Sequence, residues 1–90
     1  MDAHSVVVRK KDPLSSSVGD EVVILSAKKG LYYGTEAVGS RIWSLIEQPT
    51  SVVRLCNQVM KEFEVDQATC ERDVLSFLEQ LEGEDLIIVH

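Results

Sequence analysis

The chain changes from strand-like to helical patterning near residue 35. Before that point, β-branched and aromatic runs predict strands over Ser5–Arg9, Glu21–Ser26 and Leu31–Tyr33. The last two are joined by Lys28-Lys29-Gly30 as an antiparallel hairpin, and Gly34 is expected to end the third strand. The stretch 10–20 carries Lys-Lys-Asp-Pro, serines and Gly-Asp, which predicts a loop. We therefore expect a three-stranded antiparallel sheet.

Apolar residues recur at helical spacing through the remainder of the chain. A first helix is predicted from Thr35, which can cap it, to Glu47, because the following Pro49 disfavours helical geometry in the residue before it. A second helix starts at Thr50 or Ser51, either of which can serve as its N-cap. The expected core positions are Val38, Ile42, Leu45 and Ile46 with the neighbouring Trp43, followed by Val52, Leu55, Cys56, Val59, Met60 and Phe63.

A third helix follows the connector Glu64-Val65-Asp66, with Asp66 as its N-cap and Gly83 as its stop. The tail Leu86–Val89 is apolar and is expected to fold back onto the core as an extended piece. Strands followed by three helices predict an α+β domain of the winged helix-turn-helix type. The third helix is expected to bury Cys70, Val74, Phe77, Leu78 and Leu81.

Length and charge narrow the possible functions. Ninety residues predict a single domain spanning residues 1–90. The net charge is −6 and the outward positions of the third helix are mainly acidic, so binding to nucleic acid is disfavoured. The sequence has no apolar run long enough for a membrane span and no signal-peptide pattern, which predicts a cytoplasmic protein without a membrane partner.

The residues that carry catalysis or bind metals are few and scattered. The only histidines, His4 and His90, lie at opposite ends, and Cys56 and Cys70 fall in apolar helical stripes where cysteine acts as a small hydrophobe. Neither a nucleophile with its base nor a set of metal ligands has suitable spacing, and no Gly-rich phosphate loop occurs. We therefore expect no catalytic residue, no metal and no cofactor, and a function based on binding.

The ordered set of motifs resembles the PqqD-like family, also called precursor peptide recognition elements of RiPPs (ribosomally synthesised and post-translationally modified peptides). The resemblance covers roughly residues 5–89. The matching pieces are Leu31-Tyr-Tyr33, Thr35-Glu-Ala-Val-Gly39, Arg41-Ile-Trp-Ser-Leu-Ile46, Thr50-Ser-Val-Val53, Phe63-Glu-Val-Asp66 and Asp73-Val-Leu-Ser-Phe-Leu-Glu-Gln-Leu81.

The sequence departs from the family at Thr35, where Asn is common, at Gly34, where Leu is usual, and at Asp85, where Gly is usual. The Ile-Trp version of the first helix looks most like the small free-standing members of lasso peptide biosynthesis. The resemblance implies that the protein binds the leader segment of a precursor peptide, without catalysis. It also implies delivery to a leader peptidase and then to an ATP-dependent macrolactam synthetase.

In the resembled family, the leader pairs as an added strand with the third strand, beside the third helix, where lasso leaders offer a Tyr-x-x-Pro motif to an apolar pocket. Leu75 lies about 120° from the stripe of the third helix at about 100° per residue, so it either lines this groove or widens the core. The residues expected to contact the peptide are Lys29, Gly30, Leu31, Tyr32, Tyr33, Gly34, Glu71, Leu75 and Glu79.

Alternation places Leu31 and Tyr33 on one face of the third strand and Tyr32 on the other, so one tyrosine is expected in the core and the other against the ligand. Three other interpretations remain open at the level of sequence. The first is a PqqD-type peptide chaperone of another RiPP pathway, including pyrroloquinoline quinone biosynthesis with a radical enzyme. The second is a winged-helix DNA-binding regulator, and the third is a supporting subunit of a larger enzyme.

Overall fold

The computed structural model describes the backbone of residues 1–11, 14–18, 21–26, 31–35 and 37–90, and the side chains of residues 1–11, 22–24 and 37–90. Four strands in succession lead into one helix in the first half of the chain, and two longer helices dominate the second half. The elements are β1 (Val6–Arg9), β2 (Leu14–Val18), β3 (Glu21–Ser26), β4 (Leu31–Thr35), α1 (Ala37–Leu45), β5 (Thr50–Ser51), α2 (Val52–Glu62), α3 (Gln67–Gly83) and β6 (Ile87–Val89).

A three-stranded antiparallel sheet followed by helices confirms the predicted fold class, but its strands are β2, β3 and β4. The expected loop over 10–20 is wrong in its second half, because Leu14–Val18 is a strand that pairs with β3 from Leu14 opposite Leu25 to Val18 opposite Glu21. Serines are weak strand formers, but pairing along a neighbouring strand overrides such a local preference. The predicted third strand is therefore β4, the fourth in the chain.

The first predicted strand belongs to a second sheet, with the order β5-β1-β6, and not to the sheet of β3 and β4. Val7 of β1 lies opposite Thr50 on one side and opposite Val89 on the other. The apolar tail does fold back as predicted, since Ile87–Val89 pairs with β1. Sequence patterns give no partner for a strand, so two sheets could not be told from one.

The β4 strand is longer than expected. Gly34 does not end it, because Gly34 pairs with Val23 and Thr35 pairs with Val22. Thr35 is consequently the last strand residue and not the first cap of a helix, and α1 starts at Ala37. The extra pairs give β4 five residues of backbone along one edge of the sheet.

The starts of α2 and α3 follow their predicted caps, whereas α1 ends at Leu45, before the predicted end at Glu47. The Ser51 hydroxyl accepts a hydrogen bond from the Arg54 amide at 3.3 Å, and the Asp66 carboxylate accepts one from the Thr69 amide at 3.2 Å. Such caps satisfy amides that have no partner within the helix. After Gly83, Asp85 has a φ of 61°, which explains why glycine suits this position and why Asp, which tolerates the left-handed region, can replace it.

One core joins the two sheets to the three helices. Trp43 is 2% exposed, as the sequence predicted, and the Arg9 guanidinium lies 5.2 Å from its ring centroid while Arg9 Nη1 donates to the Trp43 carbonyl at 3.2 Å. Most positions of the predicted helix stripes are buried as expected, but some are only partly covered, namely Val38, Leu45, Met60, Phe63 and Phe77. Fully buried aliphatic core residues are Val7, Ile24, Ile42, Ile46, Val52, Leu55, Val59, Val74, Leu78 and Leu86.

Candidate functional site

The β4 strand has an open side within the described residues, where it pairs only with β3. Backbone groups of an antiparallel strand alternate between its two sides, so every second residue of β4 directs its N–H and C=O away from β3. Leu31, Tyr32, Tyr33 and Gly34 all belong to this strand, and alternate residues among them present their backbone groups at the open edge. Lys29 and Gly30, which were predicted to extend it, lie outside the described residues.

Helix α1 fixes the position of the sheet against the core. The buried Ser40 hydroxyl accepts a hydrogen bond from the Val22 amide of β3 at 2.9 Å. On the other side of α1, Arg41 Nε donates to both carboxylate oxygens of Glu62 at 3.0 and 2.9 Å, which links α1 to the end of α2. The hydrogen bonds of Gln58 and Arg41 keep the pKa of the Glu62 carboxyl below its usual value. The edge of β4 is thus presented by a sheet tied to α1.

A pocket of about 280 Å³ opens where α1, α2 and α3 meet. Val38 belongs to the first turn of α1, which follows β4 directly along the chain, so the pocket lies close to the carboxyl end of the β4 strand. A pocket of this kind, mostly apolar with a few polar groups, is the usual form of a ligand site. Its lining residues are Val38, Val59, Phe63, Glu64, Val65, Cys70, Asp73 and Val74.

The thiols of Cys56 and Cys70 are poorly reactive. Burial raises the pKa of Cys56 to about 11 and raises the pKa of Cys70 as well. The Cys70 Sγ lies 3.6 Å from the carbonyl oxygen of Cys56, so α2 and α3 are in close contact beneath the pocket. Protonated buried thiols are poor nucleophiles and behave as apolar residues. Cys70 therefore adds apolar surface to the pocket.

The predicted residues of α3 lie on a different flank of the helix from the pocket. At about 100° per residue, Leu75 lies about 100° to one side of Val74 and Asp73 about 100° to the other. Glu71, Leu75 and Glu79 are spaced four residues apart and share the Leu75 flank; Glu71 is half-buried and Glu79 exposed. Leu75 is half-buried and packs against the core. The edge and this flank remain a predicted contact surface.

Sequence reasoning missed the pocket itself. Sequence periodicity places much of the pocket lining in the core stripes of the helices, namely Val38, Val59, Phe63, Cys70 and Val74. Periodicity shows which face of a helix is apolar, but it does not show where three apolar faces meet and leave a space between them. A signal was present in Phe63-Glu64-Val65, where two apolar residues flank an acid in the short connector between α2 and α3. Both apolar residues are only half-buried, as the wall of a pocket would be.

The described residues contain neither a cluster of metal ligands nor a membrane-spanning helix. No group of three or more His, Cys, Asp or Glu side chains among them could hold a metal ion. In the same part of the chain, no helix has the length and hydropathy that a membrane crossing requires.

The family model for coenzyme PQQ synthesis protein D (PqqD) matches residues 21–87, from β3 to the start of β6. The chain belongs to the PqqD family. The resemblance found in the motifs is thereby confirmed. No curated protein sequence matches this chain.

Two solved structures are similar to this PqqD-family chain. The first, TbiB1 in complex with the TbiA(beta) leader peptide, is 38% identical, with a TM-score of 0.82, and the match covers 89% of this chain and 93% of TbiB1. The second, lasso peptide synthetase B1 complexed with the leader peptide, is 16% identical, with a TM-score of 0.80 and coverage of 91% and 96%. The second likeness shows the shared fold, and the first also supports the family assignment.

Proposed function

We propose that this protein binds the leader segment of a ribosomally made precursor peptide as an added strand on the open edge of β4, in lasso peptide biosynthesis. The observation that carries this proposal is the β4 edge, which pairs with no second strand among the described residues and lies beside an apolar pocket. Its support comes from the 38% identity to TbiB1, whose structure holds the TbiA(beta) leader peptide. An exposed strand edge is the physical requirement for binding a peptide by strand addition.

Strand addition divides affinity and register between two kinds of contact. The backbone of Lys29–Gly34 supplies the hydrogen-bond ladder, which gives affinity without reading the ligand sequence. An apolar leader side chain enters the pocket next to Val38 and sets the register, since a slip of one residue would turn that side chain to the opposite face. Leu75, with Glu71 and Glu79, forms a second contact surface if the leader also crosses that flank of α3.

The role is one of recognition and delivery. The protein holds the leader and presents the precursor to a leader peptidase, after which the core peptide passes to an ATP-dependent macrolactam synthetase. A non-catalytic role is supported by the two thiols, which are buried with raised pKa values, and by the exposed positions of His4 and His90. No cofactor takes part in this scheme.

A second candidate is leader binding in another RiPP pathway, favoured by the family model, which is described by coenzyme PQQ synthesis. Titration with leader peptides from several pathways separates the two. We expect the TbiA(beta) leader peptide to bind at submicromolar concentration and a leader peptide from pyrroloquinoline quinone biosynthesis to bind far more weakly. The reverse order would overturn the assignment to lasso peptide biosynthesis while leaving leader binding intact.

Amide hydrogen exchange tests the docking edge directly. Saturation with the TbiA(beta) leader peptide should slow exchange in residues 31–35, because a new strand protects the outward amides of β4. The amides of Ile87–Val89, on the edge of the other sheet, serve as the internal control and should not change. Saturable binding with unchanged exchange in β4 would show that the leader docks elsewhere.

A further inference from the structure

The pocket beside β4 has an apolar interior and an acidic mouth. Its floor is formed by Val59, Cys70 and Val74, each at most 2% exposed. Half-buried Val38, Phe63 and Val65 form the walls. The remaining lining residues, Glu64 and Asp73, are both exposed to solvent. Two carboxylates therefore stand where an apolar ligand group would enter.

The charge at this mouth is weakly compensated. Asp73 Oδ1 lies 3.5 Å from Arg72 Nε, but the two side chains are 60% and 75% exposed, and exposed pairs of this kind contribute little. The nearby Arg41 is held by Glu62 through two short hydrogen bonds. None of the described residues that line the pocket is cationic, and Glu64 has no ion pair or hydrogen bond among the described residues. A ligand cation would meet an unneutralised site.

We propose that Glu64 and Asp73 select leaders in which a Lys or Arg lies two residues from the apolar side chain that fills the pocket, on the same face of the added strand. The inference rests on the proposed leader binding and adds the charge of the substrate. The long arms of Lys and Arg can leave an apolar contact and reach a carboxylate at the rim while the charged end stays in water. A neutral neighbour would fill the pocket equally well but gain no attraction, and an acidic neighbour would be repelled.

This selection is separate from the predicted contacts of Glu71 and Glu79. Those two acids lie on the Leu75 flank of α3, whereas Asp73 lies on the flank that faces the pocket. Glu82 offers a control for the change in net charge, because it is exposed on the same helix about 180° around from Asp73, on the Leu75 flank and away from the pocket mouth. Substitution at Glu82 changes the net charge of the protein as much as substitution at Asp73 does.

A positional scan of the TbiA(beta) leader peptide tests the proposal. Each position in turn carries Lys, norleucine or Glu, and affinities are measured for the wild type and for Glu64→Lys, Asp73→Lys and Glu82→Lys. With the wild type, the positions two residues from the side chain that fills the pocket should favour Lys over norleucine by about twofold to fivefold, as expected for charge pairs at a solvated rim. At those positions Glu64→Lys and Asp73→Lys should reverse the order to favour Glu, whereas Glu82→Lys should keep it.

The possible outcomes separate a failure of the rim selection from a failure of leader binding. Binding of the scanned peptides with no Lys preference, or the same response in Glu64→Lys, Asp73→Lys and Glu82→Lys, would overturn the rim selection and leave leader binding standing. Failure of every peptide in the panel to bind the wild type would overturn leader binding and the inference together. The Lys preference should also shrink between about 0.05 M and 0.5 M salt, because solvated charges are screened.

Discussion

The two sheets of this protein both end in an edge strand, but the edges differ in their surroundings. β4 is the last strand of two successive hairpins and leads directly into α1, beside the pocket. β6 joins β1 across nearly the whole chain. Val6 and His90 exchange both of their backbone hydrogen bonds, so alternation leaves Ile87 and Val89 to direct theirs outward. Among the described residues an open edge is therefore common to both sheets, and the neighbouring pocket distinguishes β4.

The largest expected effects are losses of stability caused by one core substitution in each of the two sheets. Ile24 in β3 is 0% exposed and Ile87 in β6 is 4% exposed, and both belong to one continuous core. Ile24→Ala and Ile87→Ala should each lower the free energy of unfolding by about 2–5 kcal/mol, because each leaves a cavity in packed surroundings. Denaturant titration followed by circular dichroism and by Trp43 fluorescence measures both losses.

The control for this pair is Ile88→Ala, since Ile88 is 43% exposed and should change stability by about 0.5 kcal/mol or less. The two probes should give coincident transitions in each variant, because Trp43 packs in the core that both sheets share. Separate transitions in Ile24→Ala would mean that the sheet of β2, β3 and β4 unfolds on its own.

The next effect concerns the edges as binding surfaces. Tyr32→Pro and Tyr33→Pro remove neighbouring amides of β4, of which one points to β3 and the other to the open edge. The variant at the open edge should keep its fold and bind the TbiA(beta) leader peptide about 10- to 100-fold more weakly, because a ladder hydrogen bond is lost and the proline ring obstructs the added strand. Fluorescence anisotropy measures the affinity and circular dichroism the fold.

Val89→Pro is the matched change on the other edge. The Val89 amide points away from β1, so this variant should keep both its fold and its leader affinity. If Val89→Pro weakens leader binding as much as the β4 proline variant that keeps its fold, then β6 is the docking edge. The neighbouring pocket would then not mark the edge that binds the leader.

The sequence predicted more about the helices than about the sheets. The spacing of Val52, Leu55 and Val59 alone predicts the apolar face of α2, and Asp66 caps α3 as expected. Which strands form each sheet depends on pairings between distant segments, such as Val7 with Val89. No local pattern encodes these pairings. The β4 edge followed from the resemblance to a family, whereas the pocket required knowing how three helices meet.

A smaller effect should come from the contact that ties β3 to α1. Ser40→Ala removes the hydroxyl that accepts the Val22 amide at 2.9 Å and should cost about 1 kcal/mol of stability. Ser44→Ala, at an exposed position of the same helix, should cost close to nothing and controls for the change in helix propensity. Thermal unfolding of the two variants gives the difference, and equal melting temperatures would mean that this hydrogen bond does not anchor the sheet.

The smallest expected effect concerns the start of α3. This end of the helix lies beside the pocket, whereas its other end lies beside β6. Hydrogen bonds from the Thr69 hydroxyl and amide hold the pKa of Asp66 below its usual value near 3.8. The charged cap therefore adds stability above the pKa of the unfolded chain, and this contribution is lost as the pH falls through the lower folded value. Asp66→Asn keeps an acceptor for the Thr69 amide but does not titrate.

The melting temperature of the wild type relative to Asp66→Asn should accordingly fall between about pH 6 and about pH 3. Other acids with lowered pKa values, such as Asp2 and Glu62, are present in both proteins and cancel in the difference. A difference that does not vary with pH would mean that the charge of Asp66 contributes nothing to the cap. At neutral pH the two proteins should bind the leader equally, because Asn preserves the first turn of α3 and with it the pocket floor at Cys70 and Val74.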